Sequence, residues 1–331
     1  MTESINDAGH AYLDVSPLVL RYREAHIEAS GQPAPEPALP TAHAWPSSGE
    51  NVSYAQKLTG LLPVAEGTGA EIGPLNFPLL KKTDGNVLYV DHLDTDGLRA
   101  KYPTLTDIVE VDRPMRNDSL TDTLAADAPL DYLVASQVFE HVPNPIGWLQ
   151  EIAAVLREGG LLALSVPDRR FTFDLYRQES RTSDMVAASF AETRVPDVRM
   201  VYDHHALAAA VNMHWAIPDS LHPHEVVAGR GTATARRVAA DPLAFVRRAH
   251  GGEYLDVHCW VFTPVSFLLI FADLAGDGFI PYRCRQFYPT DPSLEGDRSN
   301  HSMTVVLEKA DTQATPTELR KSFLKPLGPG G

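Results

Sequence analysis

Between residues 68 and 168 the sequence alternates β-rich runs with amphipathic stretches, and that alternation restricts the possible fold more than any other feature. Runs rich in β-branched, aromatic or other apolar residues occupy 68–73, 86–91, 108–112, 130–136 and 161–166. The run Leu130-Asp131-Tyr132-Leu133-Val134-Ala135-Ser136 is nearly continuous in apolar residues, as expected of a strand buried on both faces of a parallel sheet. Between the runs, 94–102 reads as a helix halted before Pro103. Residues 146–157 read as another, with Ile146, Leu149, Ile152, Ala153 and Leu156 on one stripe and Gly159-Gly160 as its stop. This pattern predicts right-handed βαβ units and a doubly wound α/β sheet with helices on both faces.

The flanks break the pattern. Residues 1–50 read as an N-terminal helical arm, with a helix over 17–30 that starts on Pro17 and a Pro-rich linker over 31–40. Such an arm suits a lid or an oligomerisation element, the latter implying a homodimer. The core is expected over 51–168, opened by a short helix at 52–62. From 169 to 260 the alternation lapses into a segment rich in His, Arg and aromatic residues. An insertion of that length inside a domain is expected to be an ordered cap that carries the substrate site. The core resumes over 261–310, with an apolar helix at 263–274 and terminal strands at 280–288 and 302–308. The tail, 311–331, has few apolar anchors and is expected to fray as a flexible end.

Composition narrows the partners. The chain carries 28 Lys+Arg against 43 Asp+Glu, a formal charge of −15, and no concentrated basic run. Nucleic-acid binding draws its affinity from neutralised phosphates, so no nucleic-acid partner is expected. No stretch approaches the ~18 apolar residues of a membrane span, and no membrane partner is expected. The acidic start lacks the basic segment of a secretory signal, and Cys259 and Cys284 fit neither a disulfide framework nor a thiolate metal site. The expected setting is therefore cytoplasmic.

In an open parallel sheet, ligands bind beyond the carboxyl ends of the strands, where strand order reverses. The residues there are Glu71-Ile72-Gly73-Pro74-Leu75, Asp91, Asp112 and Ser136-Gln137-Val138-Phe139-Glu140-His141. Gly73 allows backbone to approach a ligand closely. Asp91 follows Glu71 at the interval at which a second-strand acid meets a ribose diol.

These tracts, together with Glu140-His141-Val142 and Leu156-Arg157-Glu158-Gly159-Gly160, resemble the class I S-adenosylmethionine-dependent methyltransferases, closest to those that modify small molecules. The resemblance covers about 65–168 by motif and 263–308 by pattern. It implies a Rossmann-like sheet of seven strands, the last antiparallel, and S-adenosylmethionine as cofactor. By position it puts Glu71, Gly73 and Pro74 in the glycine loop beside the methionine part of the cofactor. Asp91 would hold the ribose, Asp112 would lie near the adenine, and Ser136 and Gln137 would line the methionine and sulfonium. The chain departs from the family at Leu75, where a second glycine is usual. Leu75, Phe77 and Pro78 also obstruct the backbone approach that a pyrophosphate needs, which argues against nicotinamide cofactors.

An oxygen or nitrogen acceptor must lose a proton, a task suited to histidine. The candidate bases are His205 or His204 in the insertion, with His141 as rival. Tyr176, soon after the fifth strand, is placed to meet the sulfonium, a cation attracted to aromatic faces. His204, His214 and Tyr202 are the candidate substrate contacts. No third ligand stands at motif-grade spacing from His222 and His224, so no metal is expected. The expected function is methyl transfer to a small molecule. Three alternatives stay open: intramolecular displacement giving a cyclic amino acid and methylthioadenosine, a non-catalytic cofactor- or partner-binding protein, and a metal-dependent hydrolase.

Overall fold

The structure, a computed structural model, describes residues 2–5, 11–14, 52–116, 118–208, 241–291, 298 and 301–328. The chain divides into two units, Met1–Ala44 and Trp45–Gly331. In the first, β1 (Thr2–Ile5) and β2 (Ala11–Asp14) pair antiparallel, a hairpin that the sequence pattern does not signal. The helix expected over 17–30 and the linker over 31–40 lie outside the described residues.

The second unit is built on a seven-stranded sheet: β3 (Thr68–Ile72), β4 (Asn86–Asp91), β5 (Arg113–Pro114), β6 (Leu130–Ser136), β7 (Leu156–Pro167), β8 (Tyr282–Tyr288) and β9 (Ser302–Lys309). Their order across the sheet is β5-β4-β3-β6-β7-β9-β8. The pairings among β3 to β7 are parallel, and β9 runs antiparallel to both β7 and β8. This is the doubly wound sheet with an antiparallel last strand.

The apolar run of β6 follows from its place in the middle of the sheet. Tyr132 and Val134 point to one face, where they pack with Tyr54 and Leu58 of α1 (Tyr54–Thr59). Leu133 and Ala135 point to the other, beneath α4 (Pro145–Val155) and α8 (Pro264–Gly276). Both sides of the pleat are buried, so hydrophobic residues occur at every position and not at alternate ones. Gly69 lies opposite Tyr132 in register, and a Cβ there would stand 2.2 Å from a carbon of the Tyr132 ring. The ring fits because Gly69 has no side chain.

Smaller helices complete the core: α2 (Thr95–Lys101), capped by Asp94, and α3 (Leu120–Leu124). Two expected boundaries shift. The run at 108–112 is not a strand, because its N–H groups are satisfied singly: Val109 donates to Leu75 O, Val111 to Thr95 Oγ1 and Asp112 to Tyr89 O. Pairing with β4 falls instead on Arg113–Pro114. The helix expected to reach Arg157 ends at Val155, since Leu156 is already extended and pairs with Leu130. Gly159, at φ 71°, lies within β7.

The tail is also corrected. Instead of fraying, α9 (Pro316–Leu324) forms with a Thr315–Glu318 capping box and buries Leu319 and Phe323, the latter 5.7 Å from the Phe271 ring of α8. The insertion carries α5 (Thr182–Phe190), α6 (Val198–Leu207) and α7 (Pro242–His250). Among the described residues no helix is long and apolar enough to cross a membrane.

Candidate active site

β3 and β6 are neighbours, yet the chain runs outward from β3 through β4 and β5 before it returns to β6. The crevice at the carboxyl ends of β3 and β6 is therefore the point of strand-order reversal, where such sheets bind ligands. Gly73 leaves β3 at φ 70°, and a Cβ there would lie 2.9 Å from Val138 Cγ2. Glycine keeps this turn open against the segment that follows β6. Pro74 and Leu75 (φ 48°) complete the turn. Across the crevice, Ser136 Oγ is 2.5 Å from the Tyr54 hydroxyl. Gln137 holds φ 58°, a conformation that strains a non-glycine residue by about 1–3 kcal/mol. Its Nε2 donates to Ser165 Oγ and to Ser302 Oγ, 3.1 Å each, and its N–H donates to Ser165 O. Those bonds fix the turn.

The three acids expected to meet a cofactor differ in their occupation. The buried Glu71 carboxylate accepts N–H bonds from Leu79 and Leu80 at 2.9–3.0 Å, so it braces the loop after Gly73. Burial outweighs those bonds and pushes Glu71 up to about 7. Asp112 accepts from the Tyr89 N–H and is paired with Lys82. Asp91, at the end of β4 and buried, accepts from the N–H of His92, and its Oδ1 lies 2.6 Å from His92 Nδ1.

Beyond β6 a second polar group assembles. A turn of 3-10 helix, Phe139–His141, carries Glu140 and His141, and the segment around His258 lies against it, with the N–H groups of Cys259 and Trp260 donating to Glu140 O. Glu140, His141 and His258 each offer a ligand atom within 4.8 Å of the others. His258 Nδ1 lies 2.5 Å from Asp174 Oδ2, and Arg177 donates to Asp174 Oδ1 at 2.8 Å and to His258 O at 2.9 Å. Burial would raise Asp174, but His258 and Arg177 hold it at about 2. His141 Nδ1 stands 2.9 Å from Asp256 Oδ1. The two carboxylate oxygens of Glu140 are buried and have no hydrogen-bond partner among the described residues, and burial raises its carboxyl above the ordinary range.

The remaining sequence candidates lie around this group or away from it. His204 Nδ1 accepts from the His258 N–H, and burial and the neighbouring His258 depress it to about 3, so it is a neutral acceptor. His205 stacks on Phe245 of α7 with ring centroids 3.6 Å apart. Tyr202 is exposed, Tyr176 is half-buried, and His214 lies outside the described residues. Sequence reasoning misses Glu140, Asp174, His258 and Asp256 as a set. Glu140-His141 is visible as a dipeptide after β6, but no spacing ties it to Asp174 or His258. A polar cleft of about 250 Å3 lies beside the group and shares Arg177 and Cys259 with its surroundings.

Residues 71–217 match a family model described as a methyltransferase domain. No curated protein matches the chain. Among solved structures, it is similar to an S-adenosylmethionine-dependent methyltransferase from Mesorhizobium loti at 16% identity, covering 77% of this chain and 97% of that one, with a TM-score of 0.38. The CcbJ methyltransferase from Streptomyces caelestis shares 12% identity over 78% of this chain and 88% of its own, at a TM-score of 0.38. A glycopeptide N-methyltransferase, MtfA, complexed with sinefungin, shares 13% identity over 81% and 97%, at 0.35. Likenesses at these scores fix neither acceptor nor partner.

Proposed function

We propose that this chain, whose residues 71–217 match the methyltransferase-domain family model, uses S-adenosylmethionine to methylate a small molecule held against Glu140, His141 and His258. The observation that carries the proposal is the position of this group, whose Glu140 and His141 follow Ser136 by four and five residues at the carboxyl edge of β6. The crevice suits the cofactor: the turn at Gly73 is a cradle that a Cβ would fill, and Asp91 ends β4 as the carboxylate for the ribose. Gly73, Pro74, Ser136 and Gln137 would flank its methionine part. Glu71 acts one step back, by fixing the loop through Leu79 and Leu80. Asp112 is tied to Lys82 and Tyr89 and would border the adenine.

When bound, S-adenosylmethionine supplies an electrophilic methyl group on a sulfonium. The chain's task is to hold the acceptor heteroatom in line with that carbon, and positioning alone can contribute about 7–11 kcal/mol. The Glu140–His141–His258 group holds the acceptor O–H or N–H and promotes loss of its proton. Asp174 fixes the His258 ring by a hydrogen bond, and Asp256 stands 2.9 Å from His141 Nδ1 as its charge partner. Of the insertion's sequence candidates, His204 meets this group, through the His258 N–H.

The test is incubation with cofactor labelled in its methyl group and a panel of small hydroxylated or amino compounds. Label in a methylated product, lost in the His258→Gln variant, supports the reading. Label that stays with methylthioadenosine would instead establish intramolecular displacement.

A further inference from the structure

We propose that Glu140, His141 and His258 bind a divalent first-row transition-metal ion through two imidazole nitrogens and one carboxylate. This departs from the expectation of a metal-free chain. The three ligand atoms lie within 4.8 Å of one another, on two segments that backbone hydrogen bonds already clamp together. Ligands about 2.0–2.2 Å from one ion stand roughly 3–3.5 Å apart, so side-chain rotations of about 1 Å close the site.

Two features point to a cation and not to a merely structural cluster. The first is Glu140. A carboxylate taken out of water is normally hydrogen-bonded or paired, since burial without a partner costs several kcal/mol or more. Glu140 is 1% exposed, and neither of its oxygens has a donor among the described residues. The second is the support of the two rings. His258 Nδ1 is held by Asp174 and His141 Nδ1 faces Asp256, which leaves Nε2 of each ring to face a ligand. A carboxylate behind each ligating imidazole is the usual outer shell of a protein metal site.

Two imidazoles and one carboxylate suit zinc, iron(II) or manganese and leave coordination positions open. Resting on the methyl-transfer reading, the acceptor class follows: a compound with two adjacent oxygen donors, such as a vicinal diol or an α-hydroxy acid. The ion would acidify the coordinated hydroxyl, whose proton passes to water.

The experiment uses the full chain, stripped with a chelator and then titrated with Zn2+ alone by calorimetry. A parallel titration with Co2+ is followed by its visible absorption. One ion per chain is expected. Glu140→Gln and His258→Gln should each weaken binding 100-fold or more, and Asp174→Asn by about 10–100-fold through the outer shell. His250→Ala, on the exposed end of α7, should bind as the parent does. Thermal melts identify any variant that fails to fold, in which case Asp174→Asn carries the test. Absence of binding to the parent, or affinity unchanged in folded Glu140→Gln and Asp174→Asn, overturns the proposal. Full methyl transfer by the stripped protein would remove the ion from the reaction yet leave the methyl-transfer reading intact. Metal binding without methyl transfer would do the reverse.

Discussion

Glu71 offers a stability prediction with a definite sign. Its carboxylate is 2% exposed at the end of β3, and burial pushes it up to about 7 although Leu79 and Leu80 donate to it. In the unfolded chain the same carboxyl titrates near its ordinary value of 4.5. The folded state therefore favours the protonated form. The stabilising contribution is complete below about 4.5 and is lost as the pH rises through about 7. Each unit of difference is worth about 1.4 kcal/mol, so the loss amounts to roughly 3 kcal/mol. Glu71→Gln removes the titration while keeping an oxygen for the Leu79 and Leu80 N–H groups. Urea unfolding of both proteins from pH 4.5 to 8 should show the variant gaining on the parent by about 3 kcal/mol across that range. Parallel profiles would refute the reasoning. A gap that moves the other way would mean that the N–H bonds outweigh burial and that Glu71 is ionised throughout.

Three further outcomes follow from single contacts. Asp91→Ala should weaken S-adenosylhomocysteine by ~1.5–3 kcal/mol in calorimetry, the worth of charged hydrogen bonds to a ribose, and unchanged affinity in a folded variant would remove the assignment. Gly69→Val places a side chain into the Tyr132 ring and should lower stability by about 3 kcal/mol or more, read as a drop in melting temperature; a neutral result would mean that the ring has room to move. Phe323→Ala should cost about 3–5 kcal/mol in urea unfolding, whereas a loss under about 1 kcal/mol would show that α9 is dispensable to the core.

The sheet is legible because its central strands are buried on both sides. In β6 that burial makes Tyr132, Leu133, Val134 and Ala135 apolar in succession, a pattern that a strand with one wet face would not show. Pattern reading fails where hydrogen bonding overrides composition. Ile108, Val109 and Val111 read as a strand, yet the N–H groups of Val109 and Val111 go to Leu75 O and the Thr95 hydroxyl, leaving no ladder. The last helix escapes notice because its buried apolar content is two residues, Leu319 and Phe323, one turn apart. The candidate site is half legible. Gly73, Asp91 and Ser136 sit at strand ends, and strand ends can be read from pattern. His258 reaches Asp174 across 84 residues, and His141 before the insertion meets Asp256 near the insertion's end, contacts that exist only once the chain has folded.

The antiparallel β9 has a bearing on how this protein could be re-engineered. Because β8 runs parallel to β7 and β9 returns against it, Tyr288 finishes and Ser302 begins at the edge where β3, β4 and β6 end. Ser302 already touches Gln137 there, and His301 O accepts the N–H of Asp168. The connection between Tyr288 and Ser302 is thus anchored at both ends on the ligand side of the sheet. Its length and composition can be varied by loop exchange without altering strand register, since the ladders of β8 and β9 stop at its two ends. A turn placed after Lys309 would emerge on the opposite side, remote from the crevice. For a library aimed at new acceptors, residues 289–301 are therefore a graft point that complements the insertion at 169–260.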